Sequence, residues 1–269
     1  MTSDKRPHPE DKERGVQEDS TFEVLREFQN SPDASAEVTV CVSLFNYEAY
    51  IESCLDSVAA QTLPSLDLII VDDASTDAGR ECVSNWLEAN KSRFLRSSLM
   101  KHTTNQGLPA TRNTAIRQSR SEYVFILDAD NELRPRCLEA LLNAAGSSEA
   151  DFAYSIIEQF GDIQGLIGTD AWSPKRLARG NYIDAMALLR RDTWETVGGY
   201  RKMKTPGWED FDFWCRCVEA ELHGVLVPEI LCRYRVHSRS MLRQSTDTLL
   251  QHIRVWDEVR RAHPWIESA

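Results

Sequence analysis

The sequence lacks the features that mark membrane, secreted and nucleic-acid-binding proteins. No stretch approaches the roughly 20 consecutive apolar residues of a membrane span, and no apolar segment follows the charged residues at the start. The formal net charge of −11 argues against a dedicated nucleic-acid binder. No internal repeat is visible. We therefore expect a soluble, cytoplasmic protein whose 269 residues suit one large α/β domain or two small ones.

Cysteines with the spacing of a redox or metal motif are also lacking. The chain has seven cysteines, an odd number, and none forms a CxxC pair. Several lie inside apolar runs, which predicts small reduced core residues and a reducing compartment. Cys215-Arg216-Cys217 with His223 nearby suggests zinc, but this spacing fits no common zinc site. The seven are Cys41, Cys54, Cys82, Cys137, Cys215, Cys217 and Cys232.

The two ends of the chain differ in composition from its middle. Residues 1–36 begin with about 20 mostly polar residues, which predicts a disordered or partly helical extension. The spacing of Phe22, Leu25 and Phe28 is that of a short helix. Residues 244–269 predict an amphipathic C-terminal helix, which packs on its own domain, on a partner subunit or on a membrane surface.

The middle of the chain, residues 37–243, alternates apolar strand patterns with helical ones. This alternation predicts an α/β fold with a mostly parallel central sheet flanked by helices. The second half, from residue 136, is less regular, and residues 161–180 have the composition of a loop. Polar clusters follow the strands, so they should meet at one edge of the sheet, where ligands bind in such folds.

Asp128-Ala129-Asp130 is the most informative cluster. It follows the apolar run Tyr123–Leu127, which predicts a buried strand. Carboxylates in this position suit Mg²⁺ or Mn²⁺ together with a phosphate, while a solvated turn is the alternative. An acidic protein needs such a metal, or local arginines, to hold a phosphorylated ligand.

Four further clusters have both a structural and a functional interpretation. Asp72–Asp77 either caps a helix or binds a base or ribose. Arg112 is a surface residue, a diphosphate contact or a partner for a metal-site acid. Glu209 and Asp210 either stabilise a helix N-terminus or supply a general base that the helix dipole keeps ionised. His237 is a surface residue or a metal ligand.

Taken in order, these clusters resemble family 2 glycosyltransferases, which have the GT-A fold. The similarity covers about residues 38–240, and the ordered set is far more specific than any one motif. The matching pieces are Val42–Tyr47 with Gln61-Thr62, Val71–Asp77, Asn105-Gln106-Gly107 with Arg112-Asn113, Leu127–Asp130, Gly198-Gly199-Tyr200, Trp208-Glu209-Asp210 and Tyr234–His237.

The resemblance implies a Rossmann-like GT-A domain with a nucleotide-binding half, residues 37–135, and a more irregular sugar and acceptor half, residues 136–243. It implies Asp210 as the catalytic base of an inverting transfer to an acceptor hydroxyl. It also implies a Mn²⁺ or Mg²⁺ ion held by Asp130 and His237, with Asp128 as a further ligand. The implied donor contacts are Phe45, Tyr47, Glu48, Asp73, Gly107, Arg112, Asp128, Ala129, Trp208 and Glu209.

The expected substrates are a nucleotide diphosphate sugar, uridine-linked, and a hydroxyl on a saccharide, lipid-linked or glycoconjugate acceptor. Homo-oligomerisation and peripheral contact with the inner face of a membrane stay open. An aspartyl phosphatase is disfavoured because Glu132 stands where such enzymes carry Thr or Val. A sugar nucleotidyltransferase would need a Gly-rich basic loop after the first strand. A nucleotide-sugar binder without transferase activity is the alternative outside enzymes.

Overall fold

A mixed sheet forms the centre of the molecule in the computed structural model, which describes residues 21–31, 34–238 and 249–268. Its first half is the parallel sheet that the sequence predicts, with the strands in the order β4-β3-β2-β5. Its strands are β2 (Val38–Leu44), β3 (Leu66–Asp72), β4 (Arg96–His102) and β5 (Tyr123–Asp128).

The second half of the sheet is more irregular, as predicted. The antiparallel strand β9 joins β5 to β7, and β10 then runs parallel to β7. The apolar segments on either side of Pro228 form one strand with two register shifts. Residues 161–180, predicted to be a loop, contain a short strand and a short helix. The strands are β6 (Glu132–Leu133), β7 (Phe152–Gly161), β8 (Gly165–Ile167), β9 (Ala187–Arg190) and β10 (Gly224–Val236).

Helices cover both faces of the sheet and bury two apolar cores. One core receives α1, α2 and α4, and the other receives α3, α6, α7 and α8. Alternate residues of β2 explain this division, because Val40 and Val42 face the first core and Cys41 the second. The helices are α1 (Ile51–Ala59), α2 (Gly79–Asn90), α3 (Leu108–Gln118), α4 (Cys137–Ser148), α5 (Pro174–Leu177), α6 (Arg191–Thr196), α7 (Glu209–Glu219) and α8 (Leu249–Ala262).

The prediction of a helix at Phe22, Leu25 and Phe28 is wrong. These residues lie in β1 (Phe22–Gln29), which forms the edge of the sheet and pairs antiparallel with β4. A β-bulge between Val24 and Arg26 inserts one residue, so Phe22 packs on one core while Leu25 and Phe28 pack on the other. The bulge therefore produces a spacing of three without a helix. Residues 1–20 of the predicted extension lie outside the described residues.

The C-terminal helix packs on its own domain, which is one of the three predicted arrangements. Val255 and Val259 of α8 are buried, and the Trp256 ring meets the Trp208 ring edge-on at 5.9 Å. His263 lies between Asp212 and Glu219 of α7, at 3.0 and 2.7 Å. Residues 244–248 of the predicted helix lie outside the described residues. Within the described ranges, none of the helices combines the length and hydropathy needed to cross a membrane.

The cysteines are free thiols and six of the seven are buried, as predicted for core residues. Cys215 and Cys217 lie inside α7, in the second core. Across the described parts of the chain, no three His, Cys, Asp or Glu side chains form a group that could hold a metal by themselves. This result gives no support to the zinc alternative at Cys215, Cys217 and His223.

The carboxyl ends of the strands meet at one edge of the sheet. Strands β2, β3, β4 and β5 are parallel, and β10 points the same way because β5 and β7 are both antiparallel to β9. Phe45, Asp73, Asp128 and His237 each lie at or directly after the end of such a strand. The topology thus brings together segments that are far apart in the sequence.

Candidate active site

A cavity of about 940 Å³ opens at this edge of the sheet. Its walls come from the ends of β2, β3 and β5, the start of α3, the loop before α7, and residues 166–170 and 181–185. The sheet thus places the predicted donor, metal and base residues around one space. The predicted site residues that line it are Phe45, Tyr47, Asp73, Gly107, Arg112, Asp128, Asp130, Trp208, Glu209 and Asp210.

Asp73 is held rigidly at the end of β3. Its Oδ1 accepts hydrogen bonds from the Gln106 backbone N–H at 2.8 Å, and lies 2.7 Å from His102 Nδ1. Its Oδ2 accepts the Gly107 N–H at 2.8 Å. Gly107 has φ +89°, a conformation that favours glycine, and this turn starts α3. Because each carboxylate oxygen has two acceptor positions, one remains on Oδ2 for a ligand N–H.

Arg112 pairs with Asp128, which is one of the three roles predicted for it. Its Nη2 lies 3.0 and 2.9 Å from the two carboxylate oxygens. The guanidinium group is buried and stacks 5.2 Å over the ring of Tyr200. Asp128 is therefore an arginine-bound carboxylate, and its negative charge is balanced within the protein.

Asp130 and His237 form the other pair at the end of β5. Asp130 Oδ2 and His237 Nε2 are 3.0 Å apart, and both side chains are buried. The His237 ring stands edge-on to the Tyr47 ring at 5.8 Å. Burial raises the pKa of Asp130, and the charge of Asp128 raises it further against the opposing effect of His237.

Asp210 reaches the same cavity from the start of α7. Its Oδ1 accepts the Phe211 N–H at 2.8 Å, and its Oδ2 accepts the Asn181 side-chain N–H at 3.0 Å. The expectation that the helix dipole keeps this carboxylate ionised is wrong. Burial raises the pKa of Asp210 to about 7, with the charge of Asp184 as the next cause. The cost of desolvating the charge exceeds the stabilisation from the helix N-terminus.

Glu209 and Trp208 line the cavity beside Asp210. Glu209 Oε2 accepts the Gly207 N–H at 2.8 Å, and burial raises the pKa of its carboxyl group. The Trp208 ring meets the rings of His252 and Trp256 of α8 edge-on, at 4.9 and 5.9 Å. These contacts make α8 a support for the loop that leads into α7 and Asp210.

Three predicted residues do not line the cavity. Glu48 bridges two loops instead, because its Oε2 accepts the Ala78 N–H while its own N–H donates to Asp77. Ala129 packs into the core below the two acids. His237 contacts two of the predicted residues that form the cavity walls, Asp130 and Tyr47, so it lies behind them rather than on the cavity surface.

The Gly198-Gly199-Tyr200 motif has a structural role that positions Arg112. Asn113 Oδ1 accepts N–H groups from Trp194 and Tyr200 at 2.9 and 2.8 Å, and its side-chain N–H donates to the Tyr200 carbonyl at 2.8 Å. Gly199 has φ +73°, and a Cβ there would lie 2.9 Å from Asn113 Oδ1. The turn therefore needs glycine to place Tyr200 under Arg112.

Several residues of the site were not predicted, and four of them contact predicted site residues or the loop before α7, or lie beside Asp210. His102 bridges Asp73 and Thr114 and was missed because β4 was missed. Asn181 and Asp184 come from a segment without a recognised motif, and His252 comes from the C-terminal helix. For Asn181 and Asp184, the sequence offers no signal beyond two polar side chains shortly after the loop-like residues 161–180.

Comparisons with known proteins agree with this fold. The chain is 30% identical to EpsH of Bacillus subtilis (strain 168) over 61% of the chain, and it spans only 47% of that relative. The structure resembles Staphylococcus aureus TarS 1–349 in complex with UDP-GlcNAc, with a TM-score of 0.67 and 16% identity, over 78% of this chain and 61% of TarS.

A second solved structure with this fold is the mannosyltransferase PcManGT from Pyrobaculum calidifontis, in complex with GDP-Man and Mn²⁺. Its TM-score is 0.61 at 22% identity, over 84% of this chain and 66% of that one. The sequence model described as Glycosyl transferase family 2 matches residues 39–217, which is more than half of the chain and includes most of the motifs around the cavity. This chain therefore belongs to glycosyltransferase family 2 and has the GT-A fold.

Proposed function

We propose that this protein transfers a sugar from a uridine diphosphate sugar to an acceptor hydroxyl, with inversion at the anomeric carbon. The observation that carries this proposal is that Asp210, a carboxylate with a pKa of about 7, faces the same cavity as Asp73 and Asp130. A donor pocket and a base that is half ionised near neutral pH thus share one space. Such a base combines the ionised form with useful basicity at that pH.

The donor end of the cavity offers polar groups and an aromatic ring for a nucleotide. Asp73 Oδ2 keeps an acceptor position for a base N–H, and the side chain of Phe45, 43% exposed, offers a face for stacking. Ser43 Oγ and Asn131 Nδ2 are buried beside the cavity and have no hydrogen-bond partner among the residues that the structure describes. Unsatisfied buried groups of this kind call for a partner, and ribose or phosphate oxygens would supply one.

A divalent metal fits the Asp130 and His237 pair. Two neighbouring ligands at 2.0–2.1 Å from an octahedral metal are about 3 Å apart, and Asp130 Oδ2 and His237 Nε2 are 3.0 Å apart. Asp130 and His237 would hold the ion, with Asp128 beside them, and donor phosphate and water would complete the shell. When bound, Mn²⁺ or Mg²⁺ would supply positive charge for the departing diphosphate. The PcManGT complex contains Mn²⁺ on the same fold.

The residues of the chain then account for the remaining chemistry. Asp210 takes the proton of the acceptor hydroxyl as its oxygen forms a bond to the anomeric carbon. The bond from that carbon to the diphosphate oxygen breaks, and the electron pair leaves with the nucleotide. Arg112 adds a fixed positive charge next to Asp128, and its neighbour Tyr200 keeps it in place.

A screen of nucleotide sugars with Mn²⁺ tests this proposal. We expect nucleotide release with at least one uridine-linked donor, loss of release with a chelator, and an inverted anomeric configuration in the product by NMR. Binding of nucleotide sugars without any release or hydrolysis would favour the non-enzymatic binder instead. Formation of pyrophosphate from a nucleoside triphosphate and a sugar phosphate would favour the nucleotidyltransferase. A cytoplasmic location and a role in polysaccharide or glycoconjugate synthesis belong to the same proposal.

A further inference from the structure

Asp184 lies in the wall of the cavity on the side of Asp210, and no role has been given to it so far. Its segment connects α5 to β9 and is fixed to α7 by two contacts. The Trp214 indole N–H donates to the Ile183 carbonyl at 2.9 Å, and the Asn181 side chain donates to Asp210 at 3.0 Å. The position of Asp184 relative to Asp210 is therefore set by the fold.

The carboxylate of Asp184 has acceptor positions to spare. Its Oδ1 accepts the Met186 N–H at 2.9 Å. Within the described ranges, the structure gives the second oxygen no protein donor. A carboxylate accepts up to about four hydrogen bonds, and leaving one poorly bonded in a closed site is unfavourable. A ligand hydroxyl in the cavity would satisfy it.

The charges around this end of the cavity favour a neutral ligand. The carboxylates Asp170, Asp184, Glu209 and Asp210 all line it. Two arginines line the part of the cavity wall that the structure describes, and both are already paired, Arg176 with Asp170 at 2.8 Å and Arg112 with Asp128 at 2.9 Å. A phosphate or carboxylate on the ligand would meet uncompensated negative charge at this position.

We propose that Asp184 binds the acceptor saccharide, accepting a hydrogen bond from the hydroxyl next to the one that Asp210 deprotonates. The acceptor then presents two neighbouring hydroxyls and carries no anionic group at this end. This inference rests on the proposed function, since it assigns the acceptor to the side of the cavity that holds Asp210. It adds a specificity-determining residue and a substrate class to that function.

The electrostatics of the two carboxyl groups support a shared site. Burial raises the pKa of Asp184 to about 6, and the charge of Asp184 is, after burial, the main cause that raises the pKa of Asp210 to about 7. Other groups that face Asp210 are Arg112 and Asn181, which lower its pKa, and Glu209, which raises it. Replacing Asp184 by a neutral residue should therefore lower the pKa of Asp210.

The test compares Asp184→Asn with Asp192→Asn, a neutralisation of an exposed aspartate that pairs with Arg190 on the surface. Side-chain ¹³C NMR of labelled protein follows the titration of Asp210 and needs no activity. We expect the pKa of Asp210 to fall in Asp184→Asn and to stay unchanged in Asp192→Asn. An unchanged Asp210 titration in both variants would overturn the coupling of the two carboxylates.

Kinetics with simple acceptors test the substrate contact. The probes are methyl β-D-glucopyranoside and other neutral methyl glycosides, with glucose 6-phosphate as the anionic probe. We expect Asp184→Asn to raise the acceptor KM about tenfold, as for a lost hydrogen bond to a charged group, with the donor KM unchanged. A raised donor KM alone in Asp184→Asn, or better use of glucose 6-phosphate than of the neutral glycosides by the wild type, would overturn the assignment. If the wild type releases no nucleotide from any donor, the proposed function itself fails. The NMR titration still decides whether Asp184 and Asp210 are coupled.

Discussion

The Arg112 guanidinium group binds both carboxylate oxygens of Asp128, at 3.0 and 2.9 Å, across the floor of the cavity. The pair joins the first turns of α3 to the end of β5, and Tyr200 covers the arginine from the other side. The pair thus joins the Arg112 motif and the Asp128 motif, which are separate in the sequence, into one part of the site. The pair also explains how two acids can lie close together at the end of one strand, because the charge of the first is neutralised.

Breaking this pair should destabilise the protein. We expect Arg112→Ala to lower the free energy of unfolding by about 3 kcal/mol, because it leaves Asp128 without its partner in a mostly buried position. Denaturant unfolding followed by circular dichroism measures the change. Arg190→Ala is the control, since Arg190 pairs with Asp192 on the surface, and it should cost less than about 1 kcal/mol. Equal effects of the two variants would contradict the structural role of Arg112.

Asp130 should carry the metal dependence of nucleotide binding. In Asp130→Asn, we expect UDP to bind equally with and without Mn²⁺, since the side chain beside His237 loses the charge that would hold the ion. Calorimetry of UDP binding at fixed ionic strength, with and without Mn²⁺, measures this. His237→Ala should also reduce the effect of Mn²⁺ on UDP affinity. Asp192→Asn is the matched control and should keep the full effect of Mn²⁺. If Asp130→Asn keeps it as well, Asp130 is not a metal ligand.

The pH dependence of transfer should follow Asp210. Because the base must be ionised and its pKa is about 7, kcat/KM should rise as pH increases through about 7 and then level off. A rate profile that is flat between mildly acidic and mildly basic pH would contradict this assignment. The measurement uses saturating Mn²⁺ at each pH, so that metal binding does not limit the rate.

The same raised pKa has a consequence for stability. In the folded protein Asp210 holds its proton more tightly than an ordinary aspartate. Its contribution to the free energy of unfolding is therefore favourable at low pH and is lost as pH rises through about 7. We expect the melting temperature of Asp210→Asn relative to wild type to be higher at pH 8 than at pH 5. A difference that does not change with pH would mean that the carboxyl group titrates normally.

Gly199 and Gly146 provide a matched pair of glycine substitutions. A Cβ at Gly199 would meet Asn113 Oδ1 at 2.9 Å, and the residue has φ +73°, so Gly199→Ala should destabilise the fold by about 1–3 kcal/mol. A Cβ at Gly146 meets nothing within 4 Å inside α4, so Gly146→Ala should stabilise the protein by up to about 1 kcal/mol. Thermal unfolding of the two variants checks the opposite signs, and a shared sign would contradict this packing around Asn113.

The sequence predicted the parallel part of the fold because its strands are apolar on both faces. Val38–Leu44 and Leu66–Asp72 are mostly apolar and buried along their whole length, and Tyr123–Asp128 is apolar up to its last residue. Strand β4 escaped prediction because the buried Ser97 and Ser98, which follow Arg96, interrupt its apolar pattern. The bulge in β1 produced a helix-like spacing, which only pairing with β4 could correct.

The candidate site was predicted where an acid follows a strand and missed where a loop supplies it. Asp73, Asp130 and Asp210 could be found from their neighbours in the sequence. Asp184 could not be found in this way, because only the folded chain brings it near Asp210. Contacts of Asn181 and of Trp214 fix its segment against α7. The ionisation of Asp210 was predicted in the wrong direction because burial is a tertiary property that no local pattern reports.

The most direct measurement of the central claim is the separation of donor binding from transfer in Asp210→Asn. The substitution preserves the shape of the side chain and removes its ability to take a proton. We expect UDP-sugar affinity by calorimetry to match the wild type in the presence of Mn²⁺, while the rate of transfer falls by about 10²–10⁴-fold. A variant that binds the donor and still transfers sugar at close to the wild-type rate would contradict the assignment of Asp210 as the base.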